Sequence, residues 1–272
     1  MNAITKEVSQ ANAELRKTAP LVHNITNYVT VNDCANALLA IGASPIMADD
    51  LLEAGDIAAI SSALVLNIGT LNRRTISSMI AAGKRANECG IPVVFDPVGA
   101  GASKLRNDTV KEILEQVKIT VLRGNISEVS FVAGLDVTTR GVDASAADGN
   151  RDAAAVAKAV AEKFGCTAAI TGAVDVISDG KRIAKIRNGH PMLSKVTGTG
   201  CMTTALVGAY AGANRDAFVA AAAGVASMGI AGEIAYEKAG RLGTGSFHIA
   251  ILDALSHLDS AVMKARGKLD EA

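Results

Sequence analysis

A glycine-rich turn at residues 196–201 carries the strongest local signal for chemistry in the chain. It reads Val-Thr-Gly-Thr-Gly-Cys and stands directly before a long apolar stretch that predicts a helix. Glycines let the backbone approach a ligand closely, and a helix N-terminus offers unpaired N–H groups and a positive dipole end to an anion. The turn therefore suits a phosphoryl group during transfer, although a plain helix cap built from small residues would have the same sequence.

Cys201 ends this turn and falls in the first turn of the predicted helix. The helix dipole at that position favours the thiolate, so Cys201 is a candidate base or nucleophile. A lone cysteine in an apolar stretch is also often a buried small side chain. A cysteine hydrolase would need a histidine base beside it, and the sequence identifies none.

Two carboxylates follow predicted strands and are candidate magnesium ligands. Asp96 ends the strand predicted at 92–95 and precedes Pro-Val-Gly-Ala-Gly. Glu128 lies three residues after Asn125, close to the end of another short strand. Such oxygen ligands suit a hard cation. The competing interpretations are that Asp96 caps a turn and that Asn125 and Glu128 form a helix capping box.

Two further polar side chains are candidate nucleotide ligands. Arg123 precedes Asn125 and can pair with a phosphate, and Thr171 follows the strand predicted at 168–170. Ligands of open parallel sheets bind beyond the carboxyl ends of the strands. Because all these signals fall at strand ends, together they predict a nucleotide-phosphate and magnesium site.

The elements that must position these residues alternate along the chain. Strands are predicted at 63–68, 92–95, 120–122 and 168–171, with helices at 72–88, 107–116, from 126, and at 149–164. A hairpin is predicted from 174–178 to 182–186, then packed helices at 201–213 and 215–240 and a terminal helix at 249–264. This order predicts an α/β fold with a three-layer α/β/α sandwich around a largely parallel central sheet.

Composition limits the function classes. The 272 residues contain 27 basic and 27 acidic side chains, no Trp and 3% aromatic residues, which argues against nucleic-acid binding. The apolar window at 217–236 is interrupted by Glu233 and is interpreted as a buried helix, not a membrane span. The four scattered cysteines and the charged N-terminal segment without a signal sequence predict one cytoplasmic domain, 1–272.

Six motifs together resemble the hydroxyethylthiazole kinase family of the ribokinase-like superfamily. They lie at 21–27 (LVHNITN), 42–47 (GASPIM), 66–70 (LNIGT), 96–101 (DPVGAG), 123–125 (RGN) and 197–201 (TGTGC). Related ribokinase-like kinases usually have Asp at the last position of the glycine motif, whereas the thiazole kinases are similar to this chain in having Cys. The motifs span nearly the whole chain.

The resemblance implies a ribokinase-like fold and an ATP- and Mg²⁺-dependent kinase for the primary alcohol of 4-methyl-5-(2-hydroxyethyl)thiazole in thiamine biosynthesis or salvage. It implies that Met47, Gly198 and Asn27 bind the thiazole and that Arg123, Thr171 and Gly200 bind ATP. Asp96 and Glu128 are then expected to hold magnesium, with Cys201 as the catalytic residue. A homotrimer with sites near the subunit interfaces is also implied.

Three other functions are compatible with the residues. A ribokinase-like kinase for a hydroxymethylpyrimidine or a sugar alcohol would usually have Asp in place of Cys201. A non-catalytic nucleotide-binding regulator would bind ATP without turnover. A cysteine hydrolase would use Cys201 as its nucleophile and would not need magnesium.

Overall fold

The computed structural model describes residues 3–135 and 152–271 of the chain. The helices are α1 (Ala3–Thr18), α2 (Val31–Ile41), α3 (Ala54–Ile60), α4 (Arg73–Glu88), α5 (Lys104–Gln116), α6 (Ile126–Ala133), α7 (Ala153–Phe164), α8 (Thr199–Ala213), α9 (Ala217–Ala239), α10 (Thr244–Ser256) and α11 (Ser260–Arg266). The strands are β1 (Leu21–Ile25), β2 (Ser44–Ile46), β3 (Ala63–Asn67), β4 (Val93–Asp96), β5 (Val121–Asn125), β6 (Thr167–Thr171), β7 (Asp175–Ser178), β8 (Ile183–Ile186) and β9 (Leu269–Glu271). A short 3₁₀ helix spans Pro191–Lys195.

The strands form one sheet in the order β2-β1-β3-β4-β5-β6-β7-β8-β9. Pairing is parallel from β2 to β6 and antiparallel from β6 to β9. The prediction of a largely parallel sheet is confirmed, and so is the β7–β8 hairpin. Gly180 adopts a φ of 90° in its turn, a conformation that favours glycine.

Two hydrophobic clusters cover the two faces of the sheet and confirm the three-layer architecture. Along β3, Ala63 and Val65 belong to one cluster, whereas Leu64 and Leu66 belong to the other. This alternation is the period of two that a strand imposes on its side chains. Helices α1, α2, α8, α9 and α10 pack on the first face, and α3 to α7 pack on the second.

Several predicted boundaries shift by a few residues because local caps set them. Helix α4 begins after Asn72, whose side chain accepts a hydrogen bond from the backbone N–H of Thr75 in a capping box. Helix α5 begins at Lys104, earlier than predicted, because Ser103 caps it. Helix α7 begins after the capping Asp152, and the predicted start at 149 lies outside the described residues.

The prediction of one helix over 249–264 is wrong, since α10 ends before α11 begins. The guanidinium of Arg16, in α1, donates to the carbonyls of Leu255 and Ser256 at 2.9 and 3.1 Å and so satisfies the end of α10. The side chain of Asp259 then caps α11. The elements of the first 60 residues, α1 to α3 with β1 and β2, and the terminal β9 are also absent from the sequence-based prediction.

Helices α8 and α9 pack closely through small residues, as predicted from their composition. A Cβ on Gly208 of α8 would overlap the side chain of Val65 in β3. A Cβ on Gly224 of α9 would lie 2.6 Å from the backbone nitrogen of Val207 in α8. Helix α9 is long and apolar enough to cross a membrane, but 83% of its most apolar window is buried inside the protein.

The close approach of α8 and α9 predicts the effect of Gly224→Ala. The added methyl group would meet backbone atoms that cannot rotate away, so the free energy of unfolding should fall by about 2 kcal/mol, the usual cost of overpacking a core. Urea denaturation of the purified protein measures this change. Gly245→Ala is the matched control, because a Cβ at that position of α10 has nothing within 4 Å. An equal fall in the free energy of unfolding in the two variants would contradict the close packing of α8 against α9.

Candidate active site

Polar residues at the ends of the parallel strands meet at the carboxyl edge of the sheet, as predicted for Asp96, Asn125 and Thr171. They are Asn27 after β1, Asn67 in β3, Asp96 in β4, Asn125 in β5 and Thr171 in β6. The N-terminus of α8, with Gly198, Gly200 and Cys201, lies against the same edge. The structure therefore assembles one site from five strands and one helix.

Cys201 lies beside two asparagine amides. The Nδ2 of Asn27 is 3.2 Å from its Sγ, and the Nδ2 of Asn67 is 3.4 Å from it. The Nδ2 of Asn27 also donates to the Oδ1 of Asn67 at 3.0 Å. The two amides are thus fixed by each other and present N–H groups to the sulfur.

The pKa of the Cys201 thiol is higher than its position in the first turn of a helix predicts. Burial raises its pKa above the ordinary value, and the negative charge of Asp96 raises it further. Hydrogen bonds from Thr30, Asn27 and Asn67 act in the opposite direction but are smaller. The expectation that the helix N-terminus would favour the thiolate is therefore wrong, because burial outweighs the effect of the helix.

Asp96 is fully buried at the centre of the site. Its Oδ2 accepts hydrogen bonds from Thr204 Oγ1 at 2.6 Å and from Asn67 Nδ2 at 3.0 Å, and it lies 3.6 Å from Arg123 Nη1. Burial raises the pKa of the Asp96 carboxyl, whereas the Arg123 guanidinium and these hydrogen bonds oppose the rise. Its Oδ1 is buried without a hydrogen-bond partner, which is costly unless a ligand satisfies it.

Glu128 forms the capping box that the sequence also allowed. Its Oε2 accepts from the backbone N–H of Asn125 at 2.8 Å, and its own N–H donates to Asn125 Oδ1 at 2.9 Å. Its Oε1 accepts from the N–H of Gly99 at 2.8 Å. Burial and the nearby charge of Asp96 raise the pKa of Glu128 to about 7. Two buried carboxylates thus lie close enough for the charge of Asp96 to affect the pKa of Glu128.

The oxygens of Asp96 and Glu128 fit a magnesium ion. Magnesium usually binds one or two carboxylates together with phosphates and water, and a cation would offset the burial that raises the pKa of both carboxyl groups. The unpartnered Oδ1 of Asp96 is available to such a ligand. Within residues 3–135 and 152–271, no group of three or more His, Cys, Asp or Glu side chains could hold a metal by itself.

Arg123 connects the carboxylate to a pocket on the other side of α8. Its Nη2 donates to Thr171 Oγ1 at 2.6 Å. A Cβ on Gly200 would lie 3.0 Å from its Nη1, so glycine there lets the guanidinium approach the helix N-terminus. Gly198 has a φ of 88°, and a Cβ there would lie 2.7 Å from Thr30 Cγ2. The glycines of the turn are thus required by backbone conformation and by close approach.

The pocket next to Arg123 has a volume of about 540 Å³. Its lining includes Arg123, Thr171, Gly200, Asp175 and Met228. Burial raises the pKa of Asp175 to about 7, and its Oδ1 accepts from the N–H of Gly172 at 2.9 Å. The pocket is large enough for a nucleotide, and its inner end reaches the N-terminus of α8.

Met47 lies at the opposite end of the parallel strand order from Thr171. It follows β2, an edge strand of the sheet, and is half-buried against the larger hydrophobic cluster. The next carbonyl, that of Ala48, is 2.6 Å from Nε2 of the buried His23. The structure of one chain brings Asn27 and Gly198 to Cys201 but does not show Met47 in that group.

Three residues of the site were not singled out from the sequence. Asn67, Thr204 and Thr30 all bind members of the cluster, Thr30 through Asn27 Oδ1. Asn67 had a usable signal, since it ends a strand next to the strand of Asp96. Thr204 lies one helical turn after Gly200, a spacing that places it on the same face of α8.

Comparisons with known proteins identify the family of the chain. The family model described as "Hydroxyethylthiazole kinase family" matches residues 13–261. A hydroxyethylthiazole kinase of Ruminiclostridium cellulolyticum is 64% identical over 272 residues, which is 100% of both chains. The solved structure of a hydroxyethylthiazole kinase protein from Pyrococcus horikoshii is 41% identical, with a TM-score of 0.89 over 97% of this chain and 98% of that one.

A more distant solved structure bears on the fold alone. A ribokinase-like superfamily protein of Enterococcus faecalis is 10% identical and has a TM-score of 0.63 over 92% of this chain and 89% of that one. The ribokinase-like fold is therefore confirmed. On the family model and the full-length relatives, the chain belongs to the hydroxyethylthiazole kinase family.

Proposed function

We propose that this protein transfers the γ-phosphoryl group of ATP to the primary alcohol of 4-methyl-5-(2-hydroxyethyl)thiazole, a step in thiamine biosynthesis or salvage. The observation that supports it best is the junction at the N-terminus of α8. There the amide-bound thiol of Cys201 lies one residue from Gly200, which lines the nucleotide-sized pocket. An acceptor alcohol and a phosphate can thus meet at one helix N-terminus. The names of the full-length relatives support the thiazole as acceptor.

The acceptor side of the reaction is assigned to Cys201, Asn27, Met47 and Gly198. A neutral thiol can hold the substrate hydroxyl by hydrogen bonding, while the amide of Asn27 fixes the sulfur. Phosphoryl transfer through a loose transition state needs little removal of the hydroxyl proton at the start. Cys201 therefore acts mainly by orienting the attacking oxygen, and a raised thiol pKa does not impede that role.

The donor side is assigned to Arg123, Thr171 and Gly200. The guanidinium of Arg123 lies between Asp96 and the pocket and can pair with a phosphate of ATP. The N–H groups at the start of α8 face the transferred group and need no reorganisation as its charge grows. Asp96 and Glu128 would hold magnesium, which supplies charge neutralisation for the phosphates when bound.

A homotrimer with sites near its interfaces is part of the proposal. Large apolar side chains are exposed in the segments next to Asn27 and Met47, with Tyr28 exposed by 78% and Leu52 by 92%. Exposed apolar side chains of this size favour contact with another protein surface. A neighbouring subunit placed there would bring its Met47 toward the Cys201 group of the first subunit.

We also place the protein in the cytoplasm, without nucleic-acid or membrane partners. All four cysteines are free, as expected in a reducing compartment. The formal net charge of zero gives no general attraction to anionic polymers or lipid surfaces. A cysteine hydrolase is disfavoured because, in the described part of the chain, no histidine forms a hydrogen bond with Cys201 Sγ.

The proposal predicts magnesium-dependent release of ADP when the purified protein is given ATP and hydroxyethylthiazole. Initial rates should rise with thiazole concentration, and they should be lost on chelation of the metal because two buried carboxylates then face the phosphates uncompensated. A coupled assay for ADP measures this.

Hydroxymethylpyrimidine and a reaction without acceptor are the controls. Turnover on the pyrimidine alone would support the proposed active site and contradict the proposed thiazole substrate. ATP binding without turnover on any alcohol would instead identify a nucleotide-binding regulator.

Cys201→Ala should lower kcat by about 100-fold, the cost of misplacing the attacking oxygen by about 1 Å. The KM for the thiazole should change by less than about threefold, because the lost contact acts mainly in the transition state. Steady-state kinetics separate the two constants. Cys89→Ala, at an exposed position after α4, is the matched control. Equal losses in kcat and in thiazole affinity would assign Cys201 to binding.

A further inference from the structure

We infer that Arg106 is a positioning residue for the phosphoryl transfer, holding together the two loops that orient Asn67 and Glu128. Arg106 lies in the first turn of α5, and its guanidinium donates to three backbone carbonyls. Nη1 binds the oxygens of Ile68 and Val98, both at 2.6 Å, and Nη2 binds that of Gly69 at 2.8 Å. Two of these carbonyls follow β3 and the third follows β4, so one side chain joins the two loops.

The first loop connects Arg106 to the Cys201 side of the site. The N–H of Gly69 donates to Asn67 Oδ1 at 2.9 Å and so fixes which way that amide faces. With its oxygen held, the Nδ2 of Asn67 faces Asp96 and Cys201. Gly69 also approaches Asn27 so closely that a Cβ would lie 2.8 Å from its Nδ2. The position of Gly69 therefore sets both amides that contact the thiol.

The second loop connects Arg106 to the carboxylate side. Next to the bound carbonyl of Val98, Gly99 adopts a φ of 71°, and a Cβ there would lie 3.2 Å from the Cδ of Arg106. The N–H of Gly99 in turn donates to Glu128 Oε1 at 2.8 Å. The side chain of Arg106 thus packs against Gly99, the residue whose N–H binds one oxygen of Glu128. Movement of this loop would move an expected magnesium ligand.

The geometry requires an arginine. A guanidinium presents its N–H groups in a rigid planar fork, whereas an ammonium is a compact group on a flexible stem. Within the described residues, no carboxylate forms a salt bridge with Arg106. The guanidinium instead donates its hydrogen bonds to three backbone oxygens. The single ammonium group of a lysine cannot reach all three of these oxygens. A lysine would keep the charge and lose the connection between the loops.

This inference rests on the proposed function, because it assigns Arg106 a role in orienting the same Cys201 and magnesium site. In a phosphoryl transfer that depends on positioning, a shift of about 1 Å in the groups around the reacting atoms can cost about 100-fold in rate. Arg106 touches none of the candidate substrate ligands directly. Its loss should therefore appear in kcat more than in the KM of either substrate.

Arg106→Lys tests the inference, with Arg85→Lys as the control. Arg85 is an exposed arginine of α4 that pairs with Glu88 at 2.9 Å, so its replacement leaves the site unchanged. For Arg106→Lys, kcat should fall by about tenfold or more, while the KM values for ATP and the thiazole stay within about threefold. The midpoint of thermal unfolding is measured alongside. An unchanged kcat would overturn the inference, whatever the thermal midpoint.

Amide hydrogen exchange provides a second measurement that does not depend on catalysis. In Arg106→Lys, peptides covering 66–72 and 97–103 should exchange about tenfold faster, because freer loops would break the hydrogen bonds from Gly69 N–H to Asn67 Oδ1 and from Gly99 N–H to Glu128 Oε1 more often. Peptides from β6 and β7 serve as internal controls and should not change. Unchanged exchange in both loops, or a uniform increase over the whole chain, would overturn the inference. If the wild-type protein lacks kinase activity, the proposed function fails, and the exchange result still decides whether Arg106 holds the loops.

Discussion

The close approach of helix α8 to the central sheet is the constraint on which the site depends. Gly208 leaves no room for a Cβ beside Val65, so the helix axis lies nearer to the strands than larger side chains would allow. At that distance Thr204 reaches Asp96 and the first turn of α8 reaches Asn67 and Asn27. If α8 lay farther from the sheet, its N-terminus and the carboxyl edge of the sheet could not contact the same ligand.

Three buried carboxyl groups and the guanidinium of Arg123 determine the electrostatics of the site. Burial raises the pKa of Asp96, Glu128 and Asp175, and the guanidinium of Arg123 opposes the rise in each case. One guanidinium cannot neutralise several buried carboxylates. The site is therefore suited to hold a cation together with an anionic nucleotide. Burial, with the charge of Asp96 as a smaller cause, raises the pKa of the Cys201 thiol, which agrees with orientation of an alcohol as its main role.

Family membership and local geometry support different conclusions about the protein. The full-length relatives identify the kinase family, and the distant ribokinase-like structure confirms only the fold. The contacts in this chain support the proposed roles of single residues, and these contacts are not taken from the relatives. Glu128 illustrates the difference, because the structure shows its capping box whereas its role as a magnesium ligand is a proposal. It closes a capping box with Asn125, and it remains a candidate magnesium ligand beside Asp96.

The sequence by itself determined the alternation of strands and helices, the layered α/β class and the edge of the sheet where the polar residues meet. These features depend on local periodicity and on short caps, which neighbouring residues encode. Tertiary structure alone decided the break between α10 and α11, since Arg16 acts from 239 residues away in the chain. It also decided the protonation of Cys201 and the part played by Asn67, Thr204 and Arg106. Burial and contacts between distant segments govern those properties, so local signals such as the strand-end position of Asn67 and the Asp259 cap were not enough to predict them.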